Sequence, residues 1–375
     1  MKKLLALSLL TTLQVSADDF SLSSFNKVIE NERDTKVKAS VGFFAVSQNS
    51  DVNKAKKQGL YAGASGHHAF YPNLKLKFNV AFEAESGSTD SLYNNNEFRA
   101  KNSFILKEGS LVYDGLKSLT LEAGSLSNDH TAVNQLLISG SILGLRETYT
   151  LEGKHFGVRL QALQASPNTN NFSDRVDKVE EGSPSYFQES IQALAKYESF
   201  KMKLGLGHFA YDKLSNEVAY SSLFNGNTIS GVRETGTNFT YNYQGWSYYA
   251  DAALTFRDFA FGAYFAQVEN TEAPTGANKG TVVGLTGNYY YGSSMHILGA
   301  ENFEVESDAS VAYYNNKYYG HNNKKGARLF YTYKDLANNF EVRTNVVTNK
   351  VLEKNDTQAN DQILHITLRK FYDLF

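Results

Sequence analysis

The densest group of chemically versatile side chains in this sequence is Ser127, Asp129 and His130, the three residue types of a hydrolase triad. A triad needs nucleophile, base and orienting acid to converge on one point. Three near-consecutive residues on an extended segment do not converge, and no Gly-x-Ser-x-Gly turn presents a serine. His67 and His68 are adjacent, so on a strand they point to opposite faces and cannot chelate one ion; the remaining histidines stand singly. Cysteine is absent, which removes thiol nucleophiles, zinc-thiolate sites and disulfides. Gly63-Ala64-Ser65-Gly66 and Gly205-Leu206-Gly207 precede no helical pattern, so they read as strand glycines that let neighbouring chains pack closely, not as phosphate cradles. The residues therefore point to no enzyme, no metal site and no cofactor. They point to another chemistry. Lys75, Lys77, Arg99, Lys101 and Arg159 occupy alternating positions, and Asp129, His130 and Asn134 lie on a polar segment between them, a set suited to steering charged solutes through water.

Those positions require elements with a repeat of two. Leu74, Leu76, Phe78, Val80 and Phe82 alternate with Lys75, Lys77, Asn79, Ala81 and Glu83, which puts every large apolar side chain on one face of a strand. Glu97, Arg99, Lys101 and Ser103 alternate likewise with Phe98, Ala100, Asn102 and Phe104. Phe156, Val158, Leu160 and Ala162 alternate with His155, Gly157, Arg159 and Gln161. Weaker strand patterns cover 37–45, 119–126, 191–197, 202–211, 256–268, 328–333 and 342–346. Tyr71-Pro72-Asn73, Asp114-Gly115, Glu198-Ser199 and Gln244-Gly245 suit hairpins, whereas 166–187, 212–231 and 270–279 are long and polar. Tight joints at both Gln244-Gly245 and Arg257-Asp258 leave the pattern one strand short or long there. Pro72, Pro167, Pro184 and Pro274 all fall in connections, where a missing N–H breaks no ladder.

The chain has 375 residues, 42% of them hydrophobic, with 24 tyrosines and 25 phenylalanines. Residues 1–17 read as a secretory signal peptide: Lys2 and Lys3, then an apolar block, then Val15-Ser16-Ala17 before Asp18. Residues 18–34 read as a short periplasmic lead-in, and 35–375 as one body of strands. Beyond the leader no apolar run reaches the roughly 18 residues that cross a bilayer as a helix. A net charge of −2 offers no field for phosphate backbones, so nucleic acid is not an expected partner. Alternation alone does not separate a soluble sandwich from a membrane barrel. The separating feature is a mixed-sign face of Lys75, Lys77, Glu83, Glu97, Arg99, Lys101 and Lys107 opposite an apolar one, as a wet lumen and a lipid-facing wall require. Aromatic clusters near apparent strand ends, among them Phe70-Tyr71, Trp246, Tyr248-Tyr249, Tyr289-Tyr290-Tyr291, Tyr313-Tyr314 and Tyr318-Tyr319, suit interfacial girdles. The expected fold class is an all-β transmembrane antiparallel β-barrel. At about 10 residues per strand, sixteen strands leave about 22 residues for each strand and its connection, and eight would leave about 45. Sixteen is the expectation, within a range of fourteen to eighteen.

The run from Glu108 to Ser125, Glu-Gly-Ser-Leu-Val-Tyr-Asp-Gly-Leu-Lys-Ser-Leu-Thr-Leu-Glu-Ala-Gly-Ser, resembles the strand, turn and glycine-ended strand that precede the folded-in loop of Gram-negative outer-membrane porins. Residues 190–211 are similar to the family's hairpins, and terminal Phe375 resembles its assembly signal. The resemblance implies that 127–144 is a constriction loop facing Lys75, Lys77, Arg99, Lys101 and Arg159; an exterior loop is the other reading. It also implies a water-filled channel in the bacterial outer membrane that passes ions and small hydrophilic solutes by diffusion, with surrounding lipid and a homotrimer as partners. Mixed wall charge implies weak ion selectivity. A structural or adhesive barrel, and a barrel hydrolase, are the alternative functions. One departure stands out: Leu364, Ile366 and Leu368 are out of phase with Phe371 and Phe375, and Asp373 takes a usually apolar place, so either a bulge intervenes or the last residues lie past the membrane.

Overall fold

The computed structural model describes residues 35–93, 96–128, 131–167, 183–231 and 236–374. The expected leader, the 18–34 lead-in, Asp129, His130 and Phe375 lie outside them. The strands are β1 (Thr35–Asn49), β2 (Asn53–Tyr71), β3 (Leu74–Ser91), β4 (Ser103–Leu116), β5 (Leu119–Ser127), β6 (Ser141–Glu152), β7 (Phe156–Ser166), β8 (Ser185–Lys196), β9 (Phe200–Asp212), β10 (Ile229–Ser230), β11 (Asn238–Phe239), β12 (Gln244–Phe256), β13 (Phe259–Asn270), β14 (Lys279–Tyr291), β15 (Ser294–Val305), β16 (Lys324–Asp335), β17 (Phe340–Val351) and β18 (Asp361–Asp373). β10 and β11 form a small ladder within one connection; the other sixteen make one closed antiparallel barrel. Two helices, α1 (Ala132–Leu137) and α2 (Asn216–Phe224), sit in connections.

Each sequential strand pairs with its neighbour, and β1 closes on β18 in unbroken register from Lys38↔Asp373 to Asn49↔Gln362. No bulge interrupts β18. Leu364, Ile366, Leu368 and Tyr372 face outward, and Phe371 lies on the opposite face, so the phase break expected at the C-terminus reflects which face Phe371 takes. Asp373 is held at the seam by Lys38 at 3.5 Å.

One end of the barrel carries tight turns, the other the long connections. Ser118, Arg257 and Asn339 take left-handed backbone at tight turns, the conformation that hairpins of this handedness demand. The joint expected at Asp114-Gly115 falls three residues later, at Lys117-Ser118. Gln244-Gly245 is the start of β12, which leaves Arg257-Asp258 as the single turn there and resolves the miscounted strand. The described residues of 92–102 contain no strand. Asn96 accepts the Phe98 amide at 2.8 Å through its side chain and the Arg99 amide at 3.1 Å through its carbonyl, a local turn that competes with the sheet ladder. The alternation of Glu97 to Phe104 was therefore a strand signal only from Ser103 onward.

Period-two packing gives the barrel its two faces. Leu60, Phe82, Phe104, Leu143, Leu285, Leu298 and Leu329 are exposed on the outside, and near the turn end Phe261, Phe259, Tyr289 and Tyr291 stack in a row that reaches His296 through Tyr289, with Tyr331 tilted against the same imidazole. Tyr249 and Tyr290, one residue out of step, face inward. On the inner wall Tyr249 lies flat over Gly205, where a Cβ would meet its ring at 2.0 Å, so this glycine makes room for an aromatic as well as for a neighbouring strand. Substituting outward Leu285 by arginine should destabilise the barrel by roughly 2–4 kcal/mol, the cost of a cation near the bilayer midplane. Urea unfolding in vesicles measures it; a cost near zero would mean that this face does not meet lipid.

Candidate functional site

The lumen is not uniformly wet. After β5 the chain turns inward: Thr131 caps α1 by accepting the Asn134 amide at 3.1 Å, and Val133, Leu136, Leu137 and Ile138 are buried. They join one apolar cluster with Leu126 and Ile142 of the adjoining strands and with Phe209, Ala266, Val268 and Val282 of the far wall. Tyr211 of β9 donates to the Leu137 carbonyl at 2.9 Å. Four short apolar residues thus carry this connection across the barrel interior. Asn134 itself stays at the near side, donating to Asn128 at 3.1 Å.

A second connection, 306–323, is also buried inside the barrel, which sequence reading missed. Its anchor is Asp308, fully buried, whose carboxylate accepts from the Thr228 amide at 3.0 Å and hydroxyl at 2.6 Å, from Tyr243 at 2.9 Å and from Ser307 at 2.9 Å. Several donors on one carboxylate replace the water it gave up. The two inward segments also meet: Ser139 donates to the Tyr314 carbonyl at 2.8 Å and Asn316 donates to Gln135 at 2.7 Å. Tyr313, Tyr314, Tyr318 and Tyr319 are therefore interior residues and not part of a lipid girdle. Their mixing with asparagines, in Tyr313-Tyr314-Asn315-Asn316-Lys317-Tyr318-Tyr319, was the available signal, because the amides supply the hydrogen bonds a buried connection needs: Asn315 donates to Ser310 and Asn322, and Asn316 to Gln135.

Below this filling the wall is charged. Lys75, Lys77 and Arg159 face the lumen, as alternation implied. Lys75 lies 3.8 Å from Asp114, and Lys77 and Arg146 share Glu122 at 3.3 and 3.0 Å, with Ser110 as its third partner. Arg159 donates to Gln192 at 3.4 Å. Arg99 and Lys101 are exposed in the 92–102 connection at the loop end, away from this wall, because the local turn takes them off the strand. The structure thus brings Lys75, Lys77 and Arg159 onto the lumen face and leaves Arg99 and Lys101 at the rim.

The wall the sequence reading passed over is that of β16 to β18. Arg328, Arg343 and Arg369 converge with His365, Thr367 and Asn345 on a cavity of about 400 Å³, roofed by Asn316, Lys317 and Tyr318 of the inward connection. Arg328 is paired with Glu301 at 3.2 Å and donates to Asn345 at 3.0 Å; Arg343 is paired with Glu341 at 2.5 Å. Arg369 stacks over Tyr61 at 4.8 Å, and its buried Nε has no hydrogen-bond partner among the described residues. The alternation of His365, Thr367 and Arg369 with Leu364, Ile366 and Leu368 carried this signal; attention to the apolar half obscured the polar half.

One contact joins the outer loops. Both ring nitrogens of His321 meet oxygens: Asn315 Oδ1 at 2.9 Å and Glu97 Oε2 at 2.8 Å, while Phe98 packs against Tyr318. Desolvation, the largest influence, pushes the Glu97 carboxyl up, but His321, Lys317 and Lys101 together outweigh it and hold the group at about 2.

No protein-family model and no curated protein matches the chain. Solved structures do match in fold. Pseudomonas putida OprB in its high-pH structure shares 15% identity over 90% of this chain and 94% of its own, with a TM-score of 0.56. Salmonella typhi OmpF, solved with daunomycin, shares 11% identity over 90% of this chain and 97% of its own, with a TM-score of 0.51. The fold is that of the sixteen-strand outer-membrane porins.

Two outcomes follow. A carboxyl held below its unfolded value stabilises the loop contact above the ordinary carboxylate range and loses that contribution as pH falls toward about 2. Protection of the 92–102 amides, taken relative to the unstructured exchange rate at each pH, should therefore fall between pH 5 and about 2, and Glu97→Gln should flatten that dependence; an unchanged slope would show that the pair holds nothing. Asp308→Ala should release 306–323 and raise single-channel current noise and conductance, whereas a trace identical to wild type would mean that the segment is held by its apolar side chains alone.

Proposed function

We propose that this protein is an outer-membrane channel that passes ions and small hydrophilic solutes down their gradients without covalent chemistry, and that it prefers anions. The observation that carries this is the pairing of an apolar outer belt with a charged inner wall in a closed barrel. On the lumen-facing register of the described strands, lysines and arginines outnumber carboxylates. Glu341 serves both Arg343 and Lys334, and neither Arg159 nor Arg369 has a carboxylate at ion-pair distance among the described residues. A transverse field biased this way favours negative solutes at the constriction, in place of the weak selectivity that the mixed charge of the sequence implied.

Lys75, Lys77 and Arg159 belong to this path as pore-lining residues, together with Arg328, Arg343 and Arg369. Assembly as a homotrimer is part of the same proposal; comparing heated and unheated samples on a gel tests it. The apolar filling at the loop end favours a second reading, a closed structural barrel. Liposome swelling separates the two, since a closed barrel gives none. Reversal potentials in a planar bilayer under a salt gradient should show anion preference. Replacing Arg159 and Arg369 by glutamine should shift the permeability ratio severalfold toward cations without stranding a buried carboxylate. An unmoved potential would remove them from the solute path.

A further inference from the structure

At the loop end of the inner wall, three adjacent strands bring a lysine, an asparagine and an aspartate together. Lys324 opens β16, Asn349 lies near the end of β17 and Asp361 opens β18. Asp361 stands opposite Asn349, and Lys324 stands opposite Val351, the next inward position along β17. Lys324 and Asn349 are each 2% exposed. The Lys324 amine reaches across β17 to Asp361 Oδ2 at 2.8 Å and also donates to the Ala359 carbonyl, while Gln48 donates to Asp361 Oδ1 at 3.3 Å. Asn349 sits on the strand that this lysine crosses. Neither its carboxamide oxygen nor its nitrogen has a hydrogen-bond partner among the described residues, a state that folded proteins rarely leave without a reason. Gly320, in left-handed backbone, lets the two side chains close up. A Cβ there would meet Asn349 Nδ2 at 2.8 Å, Lys324 Cγ at 3.1 Å and Asn349 Cγ at 3.4 Å, so lysine stem and carboxamide flank one point. A Cβ on Gly326 would likewise meet Phe303 Cζ at 2.8 Å and Asn349 Oδ1 at 3.0 Å, and the buried Phe303 ring packs on that of Tyr319, so the apolar side of the group is aromatic.

We propose that Lys324 and Asn349 become joined by an isopeptide bond, with Asp361 as the acid and base of the reaction. The Lys324 ammonium gives a proton to Asp361 through their hydrogen bond, and the freed lone pair forms the Nζ–Cγ bond to Asn349. The Cγ–Nδ2 bond then breaks with its electron pair on nitrogen. Asp361 passes two of the three lysine protons to Nδ2 in all, so ammonium plus carboxamide become secondary amide plus a departing ammonium ion, and no oxidant or reductant enters. Each part has a physical reason. A lysine shielded from water in an apolar pocket is an effective nucleophile, a carboxyl in hydrogen-bond contact moves its protons, and two strands fixed in register replace a chance encounter. The bond would fasten the end of the inward connection 306–323, which runs directly into Lys324, to β17. It rests on the register of β16 to β18 and not on conduction.

The test uses the full chain refolded from urea into detergent micelles, with heat-modifiability on a gel as the check of folding. Intact mass should fall by one ammonia as the barrel forms, at a rate independent of protein concentration. Digestion should then yield one branched peptide in which residue 324 is joined to residue 349. Lys324→Met should abolish it, and Asp361→Asn, which keeps both reacting groups, should slow its formation by at least about a hundredfold. A succinimide at Asn349 also loses ammonia but leaves the two peptides separate, so that outcome counts against the proposal. Folded wild type whose two peptides stay separate after days would overturn it, as would a branched peptide formed by Asp361→Asn at the wild-type rate. If the variants do not fold, the wild-type time course and peptide map decide alone.

Discussion

Hydrocarbon offers a backbone no hydrogen bonds, so a sheet placed in it must have no edges. In this chain that constraint falls on one seam. Fifteen of the pairings join strands that are neighbours along the barrel and joined by a single connection; the pairing of β1 with β18 brings together the two ends of the described chain across more than three hundred residues. Once Asn49 stands opposite Gln362, the alternation of every strand is committed, because a slip of one residue would exchange the lipid face for the lumen face all round the barrel. The unbroken register of β18 is thus what turns a C-terminal strand with ambiguous phase into a closing strand.

A closed barrel of this size leaves an interior that must be occupied by something, and the chain divides it. At the loop end two connections fold in and build an apolar core of Leu136, Leu137, Phe209, Val268, Phe303 and Tyr319. Backbone and amide groups link the two connections to each other, with Asp308 as the most heavily bonded acceptor. Nearer the turn end the wall becomes charged. The same barrel therefore uses the hydrophobic effect twice, outside against lipid and inside against its own loops.

The charged wall follows its own logic. Arg328 and Arg343 each spend their charge on a buried carboxylate, Glu301 or Glu341, and so are fixed in place as much as they are offered to solutes. Arg369 is instead steadied by the face of Tyr61, which orients a guanidinium without neutralising it. Arg159 is steadied by an amide. It is the second kind of support that leaves net positive charge in the lumen, and it depends on cross-strand neighbours, Gly42 opposite both Tyr61 and Arg369, and Arg159 opposite Gln192.

The sequence by itself determined the all-β class and a strand count near sixteen, and set Lys75, Lys77 and Arg159 on the strand face opposite the apolar one, because alternation is a local property that each strand displays without reference to any other. It placed Arg99 and Lys101 wrongly, since the Asn96 turn that lifts them off the sheet is a hydrogen-bond choice that a period-two pattern does not record. Only the tertiary structure decided that 306–323 fills the barrel, that the Tyr-Asn run is interior, and that Arg328, Arg343 and Arg369 share one cavity. Those facts depend on closure: residues far apart in the chain become neighbours only when β18 meets β1, and a loop has an inside to fold into only once the cylinder exists.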